Sequence, residues 1–299
     1  MAEPNIFQID ALLPPDMAVK AQQLGIRKAQ MGSYTMFVLA ILAGAFIALG
    51  AVASTTMTTG AAGILPFGVT RFLSGIVFSL GLILVVVGGA ELFTGNNLIV
   101  MAWASGAIST RQLLRNWIVV YSGNFVGSFL TAVVMFFTNQ YMLSGGALGL
   151  NALTIAKNKS ELGFVQAIAL GTLCNALVCL AVWLCFSARS TTDKILSIIF
   201  PISTFVAAGF EHSIANMYFI PIGLLIKQFA PSTFWESVQK SPADFATLTW
   251  DNFLIHNLIP VTLGNIIGGA IMVGAVYWFV YLRHKRSPAS PQISLENME

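Results

Sequence analysis

Two stretches of the chain repeat the pattern G-x-E-x-x-x-x-N inside long apolar segments. They read GAELFTGN from Gly89 to Asn96 and GFEHSIAN from Gly209 to Asn216. An ionisable side chain at bilayer depth is costly, and such residues commonly mark a pathway for ions or solutes. The pattern therefore predicts two polar interruptions in membrane-spanning segments, each with one carboxylate and one carboxamide.

The two copies differ at positions where chemistry depends on the side chain. Without gaps, His212 aligns with Leu92, and Thr94 aligns with Ile214. An imidazole can donate a hydrogen bond or exchange a proton near neutral pH, and a hydroxyl can hold an anion. We predict that His212 and Thr94 form a central polar site, with His212 as a pore-facing donor or proton relay. Ordinary packing of this histidine is the alternative.

Glu91 and Glu211 occur in both copies, which favours a structural role over proton transfer. A helix broken in hydrocarbon exposes N–H and C=O groups, each of which costs several kcal/mol if it has no partner. We expect the two carboxylates to brace the loops by accepting the freed N–H groups. We expect a structural role for Asn96 and Asn216 as well.

The composition requires a membrane protein. Hydrophobic residues make up 56% of the chain, charged residues 9%, and the mean hydropathy is +0.78, whereas soluble domains carry about 25% charged residues. Four stretches without charge predict plain transmembrane helices, and Pro66 to Ala104 and Ile195 to Ile226 predict broken second and fifth helices. The predicted fold class is an all-α membrane protein with six transmembrane helices.

A second internal match supports two repeats of three helices. The pattern N-x-I-x-V-x-x-G-N-x-x-G occurs from Asn116 to Gly127 and from Asn257 to Gly268, where its glycines predict close helix packing. An odd number of spans inverts the second repeat relative to the first. The half-helices that start near Gly95 and Ile214 then aim their positive N-termini at the midplane, which favours an anion over a cation.

The predicted domain organisation has three parts. Residues 1–30 form a cytoplasmic N-terminal segment, and residues 31–284 form one transmembrane channel domain with inverted repeats at about 31–138 and 160–284. Residues 285–299 form a disordered cytoplasmic tail. The N-terminal segment could either fold over a pore mouth or pack along the membrane surface.

The basic residues predict that both termini face the cytoplasm. That orientation places ten there and four outside: Lys20, Arg27, Lys28, Arg111, Arg115, Arg189, Lys194, Arg283, Lys285 and Arg286, against Lys157, Lys159, Lys227 and Lys240. The net charge of +3 follows from this asymmetry. Because the basic residues are scattered and match no nucleic-acid motif, we expect no nucleic-acid partner.

Nothing in the sequence predicts an enzyme, a metal site or a cofactor. Cys174, Cys179 and Cys185 have spacings of five and six, which match neither C-x-x-C nor a zinc site. The chain also lacks H-E-x-x-H and G-x-S-x-G. We therefore expect a channel or transporter whose partners are its permeant solute and membrane lipid.

Four blocks of sequence closely resemble the formate/nitrite transporter family, and its formate channels most of all: GAELFTGNNLIVMA, GTLCNALVCLAVW, GFEHSIANMYFIPIG and NLIPVTLGNIIGG. The resemblance extends from about Asn5 to Leu282. It implies an aquaporin-like fold, a homopentamer with one pore per protomer, and a place in the bacterial inner membrane. The implied substrate is formate, a small monovalent weak-acid anion. The alternatives are a nitrite or hydrosulfide channel of the same family and an aquaporin-like channel for neutral solutes.

The resemblance also implies roles for individual residues. Thr94 and His212 would flank the central site from the two loops. The other implied positions are two polar pore-side groups, two vestibule lysines and six constriction residues: Asn175 and Asn265; Lys28 and Lys159; and Phe78, Leu82, Leu92, Phe93, Val178 and Phe205.

The cost of charge in apolar surroundings suggests a mechanism. Moving a bare carboxylate into a dry constriction costs on the order of 20 kcal/mol by the idealised Born estimate. Protonating an acid of pKa about 4 at pH 7 costs only roughly 4 kcal/mol. We therefore expect a neutral or proton-sharing species to pass, with His212 donating or sharing the proton. Passage of the plain anion, with His212 only as a hydrogen-bond donor, is the competing hypothesis.

Overall fold

The computed structural model describes residues 11–283, and the helices within this range account for the predicted fold class. The predicted tail, 285–299, and the first ten residues of the predicted N-terminal segment lie outside the described residues. Six helices in the described range are long and apolar enough to cross a membrane. This number confirms the prediction.

The helices follow one another with short connections. In chain order they are α1 (Pro14–Gln30), α2 (Ser33–Thr58), α3 (Phe67–Gly88), α4 (Phe93–Asn96), α5 (Val100–Ala104), α6 (Thr110–Phe137), α7 (Ala147–Ser160), α8 (Phe164–Ser187), α9 (Thr191–Ala208), α10 (Ser213–Phe229), α11 (Ser232–Val238), α12 (Ile259–Ile266) and α13 (Val276–Tyr281). Single 3₁₀ turns cover Asn97–Ile99, Gln140–Met142 and Pro242–Phe245. The last span, Asn252–Tyr281, also contains π-helical stretches at Asn252–Leu258 and Ile267–Ala275.

The two predicted helix breaks lie where the repeated motif occurs. α3 ends at Gly88 and α4 begins at Phe93, whereas α9 ends at Ala208 and α10 begins at Ser213. The motif glycines explain where the first halves end: Gly89 has φ 78° and Gly209 has φ 75°, both left-handed. Only glycine adopts this conformation without steric cost, and it commonly terminates helices.

The glycines of the second repeated motif pack helices closely, as predicted. A Cβ at Gly127 of α6 would lie 1.9 Å from the carbonyl oxygen of Ile41 in α2, and a Cβ at Gly268 would lie 2.0 Å from that of Thr172 in α8. Any side chain there would force the helices apart. The two halves meet through α3 and α9, where a Cβ at Gly75 would lie 2.6 Å from Cα of Ser203.

Each half begins with a helix that the predicted three-span repeat does not include. α1 contacts α5 and the 3₁₀ turn after the first break, and α7 packs along α10 after the second break. The last turn of α1 carries Lys28, and the last turn of α7 carries Lys159. The matched contacts of these lysines, described below, make α1 and α7 the opening elements of the two halves.

Candidate functional site

The first break is closed by an asparagine of α6. Asn124 Oδ1 accepts the freed N–H of Phe93 at 2.9 Å. Its Nδ2 donates to the carbonyl oxygens of Ala40 at 2.8 Å and Glu91 at 2.9 Å. A carboxamide both donates and accepts, so one buried side chain satisfies the exposed backbone on both sides of the loop.

The second break is closed in the same way by the equivalent asparagine of α12. Asn265 Oδ1 accepts the N–H of Ser213 at 2.9 Å. Its Nδ2 donates to the carbonyl oxygens of Gly171 at 2.8 Å and Glu211 at 3.0 Å. The polar atoms of Asn265 thus bind backbone groups of the loop and of α8, whereas the resemblance implies a pore-side group.

The two motif glutamates bind side chains and not freed N–H groups. Glu91 accepts from Lys28 Nζ at 2.7 Å and from Asn96 Nδ2 at 2.7 Å. Glu211 accepts from Lys159 Nζ at 2.7 Å and from Asn216 at 2.7 Å. The predicted partner was therefore wrong, because a buried carboxylate gains more from a cation than from an amide N–H.

These ion pairs continue into further matched contacts with α6 and the last span. Asn116 accepts from Asn96 Nδ2 at 3.0 Å, and Asn257 accepts from Asn216 Nδ2 at 2.8 Å. Each then donates to the backbone of the helix that carries the lysine: Asn116 to Lys28 O at 3.3 Å, and Asn257 to Lys159 O at 2.8 Å. Glu91 and Glu211 therefore brace the loops through a polar chain that ties both breaks to their neighbouring helices.

The predicted central pair does meet. Thr94 Oγ1 lies 3.0 Å from His212 Nε2, across 118 residues of sequence, and both side chains are buried. His212 is also the N-cap of α10, because its Nδ1 accepts the N–H of Ala215 at 3.1 Å. A backbone N–H can only donate, so Nδ1 carries a lone pair and the neutral ring carries its proton on Nε2.

A cavity of about 690 Å³ leads to His212 from one side, and we call it the Lys159 vestibule. Its lining includes Lys159, Arg71, Glu211 and His212, together with the aromatic rings of Phe78, Phe205 and Phe219. Phe205 stacks on His212 with ring centroids 6.0 Å apart, and Phe78 meets Phe205 edge-on at 5.6 Å. Two of the predicted constriction residues thus form the apolar approach to the imidazole.

A second cavity of about 400 Å³ lies on the other side of the central pair, and we call it the Lys28 vestibule. Its polar lining includes Lys20, Lys28, Glu91 and Lys194, and its apolar lining includes Leu82 and Leu92. Leu82 and Leu92 are each 2% exposed. Thr94 is fully buried between the two vestibules, next in the chain to Gly95 of the Lys28 vestibule and in contact with His212 of the Lys159 vestibule.

Besides Thr94 and Asn265, three further residues with implied pore roles line neither cavity. The ring of Phe93 packs edge-on against Tyr121, with centroids 4.9 Å apart. Val178 lies in the main hydrophobic core. Asn175 donates to the backbone oxygens of Asn265 at 2.7 Å and Thr94 at 3.3 Å, so it fixes the loop behind the central hydroxyl.

Several residues at the site carry no prediction from the sequence. Asn124 belongs to the repeated G-N-x-x-G, and the glycines of this motif predict helix packing alone. Phe219, whose ring lies 5.4 Å from Lys159 Nζ, follows the second motif by three residues without a distinguishing pattern. Arg71 and Lys194 have no counterparts in the other half, so the repeat could not reveal them.

The positive N-terminal ends of α4 and α10 can attract an anion through their electrostatic field, but their N–H groups do not bind it directly. The first N–H of α10 binds Asn265, and the N–H of Ala215 binds His212. The first N–H of α4 binds Asn124. These groups are therefore occupied, while the dipole of the long α10 still favours negative charge near its start. Within residues 11–283, no group of three or more His, Cys, Asp or Glu side chains could hold a metal ion.

Comparison with known proteins extends over nearly the whole chain. Residues 15–279 match the model of the family described as "Formate/nitrite transporter". The chain is 50% identical over 274 residues to "Formate channel FocA" of Escherichia coli (strain K12), covering 92% of this chain and 96% of that protein. It is 44% identical over 274 residues to the protein of the same name from Haemophilus influenzae, with the same coverage.

Solved structures give the same picture of the fold. A structure described as "Pentameric formate channel with formate bound" matches with a TM-score of 0.80 and 52% identity, covering 84% of this chain and 98% of that chain. A second, an "FNT family ion channel", matches with a TM-score of 0.75 and 28% identity, covering 89% and 98%.

Proposed function

The chain belongs to the formate/nitrite transporter family, and from that premise we propose that it is a membrane channel for formate. The relatives named for formate and the formate-bound structure support this substrate. The pentameric description of that structure supports a homopentamer. The substrate that enters the vestibules is a small monovalent weak-acid anion.

The contact between Thr94 and His212 carries this proposal. It joins the two helix breaks and lies between two water-accessible vestibules, each walled by apolar side chains near the centre. In the proposed path, the anion enters one vestibule, passes between Phe78 and Phe205 or past Leu82 and Leu92, and exchanges hydrogen bonds with the central hydroxyl and imidazole. Asn175 and Asn265 position the loops, and Val178 and Phe93 pack behind them.

His212 acts in this proposal as a neutral hydrogen-bond donor. Its Nε2–H turns from Thr94 to the substrate oxygen, while Nδ1 keeps the N–H of Ala215. A relay through the imidazolium would require a second proton on Nδ1, and that proton would displace the N-cap of α10. Because a carboxylate crosses apolar surroundings more cheaply once protonated, the proton accompanies the anion from vestibule water and need not originate on the ring.

The topology we propose places both termini, α1 and the Lys28 vestibule on the cytoplasmic side of a bacterial inner membrane. The excess of basic residues on that side supports this orientation. In this arrangement residues 31–284 form the channel domain, and α1 lies at its cytoplasmic face beside the Lys28 vestibule.

Proteoliposome flux tests the proposal. Wild-type vesicles should take up formate faster than nitrite or hydrosulfide, and uptake should rise as external pH falls from about 7.5 to about 5.5, because a larger share of the acid is then protonated. The informative pair is His212→Asn, which keeps an N-cap acceptor and an N–H donor, and His212→Leu, which keeps neither.

We expect His212→Asn to retain most of the flux and its pH dependence, and His212→Leu to lose at least about tenfold. If His212→Asn instead keeps flux but loses its pH dependence, the ring itself carries the proton and the relay hypothesis replaces ours. Faster uptake of nitrite or hydrosulfide than of formate would reject the substrate.

A further inference from the structure

The two vestibule lysines each form an ion pair, so a glutamate largely offsets the positive charge of each. Lys28 and Lys159 each lie 2.7 Å from the carboxylate of Glu91 or Glu211. An adjacent ion pair exerts little net field at the distance of a vestibule mouth. Some other group must therefore supply a net positive potential in these cavities.

Cations outside the two lysine–glutamate ion pairs do line both vestibules, and one of them, Arg71, also interacts electrostatically with Glu211 without forming an ion pair. Arg71, near the start of α3, lines the Lys159 vestibule, and Lys194, near the start of α9, lines the Lys28 vestibule. Within residues 11–283, neither side chain forms an ion pair. Lys20 adds a third cation to the Lys28 vestibule, where its Nζ donates to Phe186 O at 2.7 Å.

Arg71 also offsets the unfavourable end of a broken helix. α9 ends inside the membrane region, and the C-terminal end of a helix repels anions through its free carbonyl groups. Arg71 Nε donates to Ala207 O at 3.3 Å, and Nη2 donates to Val206 O. The guanidinium thereby covers the negative end of α9 beside the positive end of α10, on the side from which His212 is approached.

We propose that Arg71 and Lys194, and not the glutamate-paired lysines, draw the anion into the two vestibules. The proposal rests on the formate channel function above and adds the residues that set its electrostatic recruitment. A cleft with low-dielectric walls and one sign of net charge raises the local concentration of the opposite ion, and added salt weakens this effect. The role of each residue is accordingly a contribution to the uptake rate that depends on ionic strength.

The test compares formate uptake by proteoliposomes at low formate and two ionic strengths. At about 0.01 M salt the Debye length is about 30 Å, and at about 1 M it is about 3 Å. Arg71→Gln removes the charge and weakens the carbonyl contacts, whereas Arg71→Lys keeps the charge and loses the bidentate contact. Lys240→Gln, at an exposed lysine outside both cavities, controls for a general loss of surface charge.

We expect Arg71→Gln to lower uptake roughly tenfold at low salt, the lower end of electrostatic steering effects, and to approach wild type within about twofold at high salt. Arg71→Lys and Lys240→Gln should remain near wild type at both. Arg71→Gln uptake equal to wild type at low salt would overturn the proposal. Equal, salt-independent losses in Arg71→Gln and Arg71→Lys would overturn it too, since they indicate only a helix cap.

Lys194→Gln provides a second test that does not depend on folding of the Arg71 variants, because Lys194 Nζ forms no hydrogen bond with the part of the chain that the structure describes. We expect the same salt-dependent loss, and unchanged uptake at low salt would refute the role of Lys194. Wild-type vesicles that pass no formate would instead reject the proposed function. The comparison would then be made with nitrite or hydrosulfide, whichever passes.

Discussion

The two helix breaks are assembled from the same polar parts and diverge where the loops meet. In both, a lysine from the first helix of that half, α1 or α7, pairs with the motif glutamate. The motif asparagine bridges to a second asparagine, and a third asparagine closes the backbone. Only one break presents an imidazole, and only the other presents a hydroxyl. The shared residues hold broken helices in an apolar environment, and the unshared residues contact each other at the point where we propose that the solute passes.

The shared parts are not perfectly equivalent either. Lys28 Nζ donates to both Glu91 and Asn96, the latter at 3.0 Å, whereas within residues 11–283 Lys159 Nζ donates to Glu211 alone and lies over the ring of Phe219. The segment after the first break is short and passes through a 3₁₀ turn, whereas α10 is a regular helix of 17 residues. The second break therefore has the stronger helix dipole, and its lysine depends on a single carboxylate acceptor.

The largest expected effect tests whether the two breaks are closed equivalently. Asn124→Leu and Asn265→Leu keep the branching of the side chain but remove the partners of one loop N–H and one loop carbonyl group, and a further contact to a neighbouring helix. We expect each to cost roughly 3 kcal/mol or more, seen as loss of the assembled protein after heating in detergent. A large loss in one variant alone would break the equivalence.

Asn252→Leu serves as the control for this pair. Its side chain makes one hydrogen bond, donating to Thr247 O at 2.6 Å near the surface. We expect it to cost less than about 1 kcal/mol.

The next largest effect compares how much each of the two ion pairs contributes to stability. Glu91→Gln and Glu211→Gln each remove the counter-charge of a partly buried lysine, and we expect losses of about 1–3 kcal/mol after allowing for solvent screening. Glu211→Gln should be the more harmful, because Lys159 is 17% exposed against 31% for Lys28 and lacks a second acceptor. Thermal unfolding in detergent measures the order, and the reverse order would contradict this reasoning.

The variants with the smallest expected effect on stability test whether a residue at the break contacts the solute or only supports the fold. Thr94→Val removes the hydroxyl that contacts His212 while keeping its shape, and we expect roughly tenfold slower formate uptake with a stability loss of about 1 kcal/mol. Ile214→Val, at the equivalent and fully buried position of the other break, should leave uptake within about twofold. Equal losses of uptake in both variants would show that the asymmetry between the breaks has no role in permeation.

Much of this arrangement follows from the sequence because hydrocarbon tolerates few alternatives. Charged residues inside an apolar run predict the breaks, Gly89 and Gly209 mark the ends of the first halves, and the gapless alignment isolates His212 and Thr94. The partners of Glu91 and Glu211 do not follow, since Lys28 and Lys159 lie 63 and 52 residues away. Only the packing of α1 and α7 brings those lysines to the loops.

Side-chain direction is the other part that the sequence leaves open. Asn124, Asn175 and Asn265 occupy apolar helices, and each could face a pore, a neighbouring helix or a loop. The structure turns all three towards backbone groups. Arg71 and Lys194 are similarly ambiguous near helix starts, where a basic residue commonly reaches the membrane surface.

The polar network of each break, meaning its ion pair and three asparagines, lies within one half of the chain, although Asn175 of the second half also donates to Thr94 O of the first. The first uses residues from Lys28 to Asn124, and the second uses residues from Lys159 to Asn265. During synthesis, each network can therefore form once its own half has entered the membrane, before or without the other. The contact between Thr94 and His212 belongs to neither half, so the centre of the path is completed only when the two halves dock. A nascent chain paused after its first half would hold a finished break with no permeation site.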